Sequence, residues 1–156
     1  MALYTPDQSY TPAFGLDPKG RDHAAHVLWL LGYPDQALES LRQVLTAVQA
    51  GPQPFSLAMA LIFASVLHQF RWELRLAQAR AEAAMTLATE HGFPQFLAMG
   101  TLVGGWALGE QAGSEEGIAQ VRQGLAAYQA TGAEMLRPYF LALLVQARSA
   151  AGQADE

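Results

Sequence analysis

The stretch Pro54-Phe55-Ser56-Leu57-Ala58-Met59 returns as Pro94-Gln95-Phe96-Leu97-Ala98-Met99, and again as Pro138 followed by Leu141-Ala142-Leu143. Each copy opens an apolar run, and each comes after a glycine that ends a helix-like segment: Gly51, Gly92 and Gly132. The interval is about 40 residues, the length of one helical hairpin in a stacked array. A single hairpin of this kind cannot bury its own apolar face, so the period implies a row of hairpins sharing one continuous core.

The segments between these marks read as helices. Residues 1–17 carry Pro6, Pro12 and Gly15, too much punctuation for regular structure, and predict an irregular arm anchored by Tyr4, Tyr10, Phe14 and Leu16 on the first helix. Asp17-Pro18 is a helix start, an Asp cap before a proline that fits the first turn. Gly32-Tyr33-Pro34-Asp35 turns the chain, and Ala37, Leu38, Leu41, Val44, Leu45 and Val48 then line one face of a helix closed by Gly51-Pro52. Further helices are expected over 54–70, with Phe63 in the core, over 73–91, and from Pro94 onward. Ser114 caps the next, with Glu115 and Glu116 complementing its dipole and Ile118, Val121, Leu125 and Tyr128 on its apolar face, up to Gly132. A last helix runs from Glu134 or Arg137 to Ala151. No strand-like alternation occurs. The expectation is an all-α domain over 18–156: seven helices in a right-handed superhelix of antiparallel pairs, the last repeat incomplete, with a plain helical bundle as the competing architecture.

Composition narrows the function classes. The chain is 51% apolar and 15% charged, which excludes a disordered segment. Eight of the nine basic residues are arginines scattered singly, and the net charge is -5, so nucleic acid is not an expected partner. The longest apolar runs, 55–67 and 96–109, are shorter than the roughly 20 residues that span a bilayer, and no membrane partner is expected. The N-terminus lacks a basic segment followed by an apolar core, which leaves a cytoplasmic location as the default. There is no cysteine, hence no disulfide or thiolate chemistry.

Few residues suggest catalysis. His23 and His26 stand three apart beside Asp22, a spacing that serves a metal only when further ligands converge, and none is evident. Ser65 and His68 have nucleophile-and-base spacing, but no acidic residue near them in sequence and no nucleophile-elbow pattern. Glu115 and Glu116 are sequence neighbours, which do not face each other on a helix. No catalytic residue, metal or cofactor is expected.

The segments Leu28-Trp29-Leu30-Leu31-Gly32-Tyr33-Pro34-Asp35-Gln36-Ala37-Leu38 and Glu115-Glu116-Gly117-Ile118-Ala119-Gln120 resemble the turn and second helix of tetratricopeptide (TPR) repeats. The resemblance covers 18–156. It implies small residues where paired helices cross, at Ala25, Ala64 and Gly105 on first helices and at Ala37 and Gly117 on second helices. Departures are the period, Arg71-Trp72 in place of a glycine turn, and Leu76 and Val145 at positions expected to be small. Long repeats of this type are similar to the C-terminal regions of large bacterial signalling proteins that carry a nucleotide cyclase or a regulatory ATPase upstream. The G-x-x-x-x-G-K-[ST] loop of such an ATPase is absent here.

By that resemblance, a concave groove would be lined by His26 and Trp29, by Leu61, Ser65 and His68, by Met99, Leu102, Trp106 and Glu110, and by Tyr139 and Gln146. Such a wall suits a small apolar ligand or an amphipathic peptide of a protein partner. The leading expectation is a non-catalytic scaffold or sensor module. A homo-oligomerising element, with an apolar strip of Tyr139, Leu143 and Leu144 on the last helix pairing two copies, is the alternative, and a small helical enzyme comes third.

Overall fold

A computed structural model describes residues 21–49 and 53–152. They form seven helices and no strand: α1 (Arg21–Leu30), α2 (Pro34–Gln49), α3 (Pro54–Phe70), α4 (Leu74–His91), α5 (Pro94–Ala112), α6 (Glu115–Ala130) and α7 (Arg137–Ala150). The domain is all-α. The N-terminal arm, the Asp17-Pro18 start and the Gly51-Pro52 stop lie outside the described residues.

The helices form two layers. In one, α1, α3, α5 and α7 touch in succession. In the other, α2, α4 and α6 each pack against the two odd-numbered helices that flank them in sequence, and do not touch one another. The tight turns between neighbours make consecutive helices antiparallel. Helix α3 is enclosed on most of its circumference, with a buried run from Ala58 to Ile62 and another from Ala64 to Gln69. Phe63 is the exception: it is half-buried, its ring against His23 at 4.9 Å and His26 at 5.1 Å.

Two interleaved series of left-handed residues close the helices. Even-numbered helices end at Gly92 and Gly132, with φ of +69° and +79°, on the series visible in sequence. Odd-numbered helices end at Gly32, Trp72, Gly113 and Gly152, with φ of +83°, +56°, +56° and +72°. This second series also repeats at about 40 residues, and a tryptophan in one glycine slot hides it. The equivalence is confirmed by hydrogen bonds. The amides of Gly32 and Tyr33 donate to Trp29 and Leu28 carbonyls at 3.0 and 2.9 Å, and those of Trp72 and Glu73 donate to Gln69 and His68 carbonyls at 3.0 Å each. Both are the helix-ending pattern that a left-handed residue permits.

Small residues mark the crossings. Ala25, Ala37 and Ala64 are fully buried, and a Cβ placed on Gly105 would lie 2.8 Å from the Val121 backbone nitrogen. On α4 the buried small residue is Ala77, one position beyond Leu76, which is exposed. Val145 is likewise exposed, so neither long side chain enters a crossing. Ser114 caps α6 as its sequence predicts, its hydroxyl accepting from the Gly117 amide at 3.2 Å. Ser114→Ala should cost about 1 kcal/mol in denaturant unfolding.

Candidate functional site

The structure distributes the expected groove residues over three environments. Leu61, Ser65, Met99, Leu102 and Trp106 are buried within the core, and Trp106 is 0% exposed. They wall no open groove. Leu102 lies against Gly124 of α6, and Trp106 against the Trp72 ring at 5.5 Å.

The second environment is a cluster of rings around Phe70, the last residue of α3. Trp29 stacks on Phe70 at 6.5 Å and 14°, while His26 meets it edge-on at 6.0 Å and Tyr139 at 5.8 Å. Phe70 thereby joins α1, α3 and α7, and three of the expected groove residues meet on its ring. Tyr139 donates its hydroxyl hydrogen to Gln69 Oε1 at 3.0 Å, and burial pushes its ionisation well above the ordinary tyrosine range. Gln146 is half-buried, and its Oε1 is enclosed with no hydrogen-bond partner among the described residues. Phe70 escaped sequence reasoning because it stands beyond the apolar run 55–67, after His68 and Gln69, and carries no periodic signal of its own.

The third is the turn between α3 and α4. His68 Nδ1 lies 2.6 Å from Glu73 Oε2, and Arg71 Nε donates to Glu73 Oε1 at 2.9 Å. The acid that the sequence lacked beside Ser65 and His68 is thus supplied five residues on, by the turn. A nucleophile is still missing, because the Ser65 hydroxyl is fully buried and donates to the Ile62 carbonyl at 2.7 Å. Burial alone would raise the Glu73 carboxyl, but hydrogen bonds and charge from His68 and Arg71 outweigh it and hold it below the ordinary value. A depressed carboxyl contributes stability that is present above its unfolded value and is lost as pH falls through the folded one. Glu73→Gln should therefore destabilise the domain near neutrality, and the gap to wild type should close on acidification below the usual carboxylate range. Parallel thermal melts across pH check this.

Arg71 also places its guanidinium 5.8 Å from the Trp29 ring centre. Glu110, the remaining expected residue, is part-buried near the end of α5, where burial raises its carboxyl above the ordinary range. Among the described residues no group of three or more His, Asp or Glu side chains converges on a metal position.

A cavity of another kind lies on the opposite layer. It is a trough of about 730 Å³ between α4 and α6, floored by α5 and lined by Met85, Leu97, Ala98, Thr101, Ala119 and Ala127, with Glu116, Gln120 and Gln123 among its polar lining residues. None of the expected groove residues lines it. It exists because α4 and α6 stand apart while both pack on α5, where Ala98 and Thr101 between them are small.

No protein-family model, characterised protein or solved structure significantly matches the chain.

Proposed function

We propose that this chain is a non-catalytic, TPR-like binding module of a cytoplasmic signalling protein, and that its α4–α6 trough holds an amphipathic helix from a protein partner. The observation that carries this reading is the trough: a largely apolar channel over a floor of small side chains, bounded by two parallel helices that do not touch. A helix laid between two others needs close backbone approach, which Ala98, Ala119 and Ala127 allow, and polar groups flanking the apolar strip. The polar pairs elsewhere support binding over chemistry, since the Ser65 hydroxyl and the His68 imidazole are both engaged by neighbouring groups.

Selection of helical peptides from a display library against the domain tests the reading. The selected sequences should carry apolar residues at i, i+3 or i+4, and i+7. Ala127→Arg, at an exposed position on α6, should weaken them by about tenfold or more. Peptides without that period, or with equal affinity for the variant, would overturn it.

A second reading, self-association, rests on α7. The expected strip is corrected: Leu143 is buried and Tyr139 and Leu144 are half-buried, whereas Leu141, Val145 and the preceding Met135 are exposed. If copies pair through this face, Val145→Glu should convert a dimer to a monomer in sedimentation. A monomeric wild type would contradict it.

A further inference from the structure

We infer that the turn between α3 and α4 builds a second binding subsite, for a single alkylammonium or guanidinium group, between the Trp72 ring and the Glu110 carboxylate. Four equivalent turns end the odd-numbered helices with a left-handed residue, and three of them use glycine. The fourth uses Trp72 at φ +56°, a conformation that is costly for a large side chain, and the residue is 56% exposed. The indole meets the buried Trp106 ring at 5.5 Å in an edge-to-face arrangement, and more than half of the residue's surface is left to solvent.

That contact fixes where the ring stands. Trp106 and Glu110 lie one turn apart on α5, so the Trp72 ring, 5.5 Å from Trp106, stands on the side of α5 that carries Glu110. Beside them is an open cleft of about 590 Å³ lined by Glu73, Leu74, Arg75, Leu76, Glu110 and Gln111. Glu73 is already engaged by His68 and Arg71. Glu110 has neither an ion pair nor a hydrogen bond among the described residues, and burial is what perturbs it. An unneutralised, part-desolvated carboxylate next to an exposed aromatic face is the chemistry that recognises an organic cation. Arg75 on the cleft lining sets the valence, since it opposes a second positive charge. The group would come from a lysine or arginine side chain of a partner, or from a free quaternary ammonium compound.

The test is a titration of the full chain followed through the indole N–H resonance of Trp72. Probes are the Nα-acetyl methylamides of lysine and arginine, tetramethylammonium, and the norleucine analogue as an uncharged control of equal chain length. The cations should give a saturable shift, weakened about tenfold by Glu110→Gln and tightened a few-fold by Arg75→Gln. Norleucine should give none. A response to lysine and arginine identifies a protein partner as the source, and a response to tetramethylammonium alone identifies a small quaternary ligand. Trp72→Gly, which restores the residue used in the other turns, should melt close to wild type and lose the cation response, read there by quenching of the remaining tryptophans. Ala127→Arg should leave the response intact, so failure of the trough reading does not carry over to this one. Equal shifts from norleucine, no shift from any cation, or affinity indifferent to Glu110→Gln would overturn the inference.

Discussion

Replacement of Gly117 by alanine is expected to destabilise the domain by about 3 kcal/mol or more, beyond the usual range for adding one methyl to a core. The reason is the crossing of α5 and α6. A Cβ on Gly117 would lie 2.6 Å from Gly109 Cα and 2.8 Å from the Gly105 carbonyl oxygen, and both of these are backbone atoms that no side-chain rotation can move. The helices would have to separate, which would also pull Val121 and Ile118 out of the core. Chemical denaturation measures this directly. A loss below about 1 kcal/mol would mean that the two helices cross elsewhere.

The second large effect belongs to Trp106. As a fully buried indole it should cost about 3–5 kcal/mol on truncation to alanine, a large part of the 5–15 kcal/mol that holds a typical domain together. Loss of binding in Trp106→Ala would therefore report a damaged fold and not a missing contact. Trp106→Phe separates the two possibilities. The indole Nε1 has no hydrogen-bond partner among the described residues, so the change removes volume but breaks no hydrogen bond. It should cost about 1–2 kcal/mol and leave peptide affinity at the trough unchanged. A Trp106→Ala variant that melts like wild type would instead restore this residue to a surface role.

These two residues illustrate what was legible in the sequence. Gly117 was identified through the resemblance to TPR repeats, which implies a small residue at that crossing, and close backbone approach is the physical reason. The helix count, the Ser114 cap and the left-handed stops at Gly92 and Gly132 follow from local rules and agree with the structure. Trp106 lies on a helix whose circumference is nearly all apolar, so periodicity could not say which side faces solvent. The same ambiguity placed Leu61, Ser65, Met99 and Leu102 in a groove when they are core. The ring cluster on Phe70 and the ion pairs of Glu73 depend on how the α3–α4 turn and α7 meet in space, which no sequence spacing encodes. The α4–α6 trough was missed for a related reason: it is defined by two helices that fail to touch.

A methyl-resolved spectrum of the domain bound to a selected amphipathic peptide tests occupancy of that trough most directly. The methyl signals of Met85, Leu97, Thr101, Ala119 and Ala127 should move on binding and show contacts to the peptide, while those of Leu141 and Val145 on α7 stay in place. Peptide contacts confined to α7 or to the rings of Trp29, Phe70 and Tyr139, with the trough methyls unmoved, would contradict it.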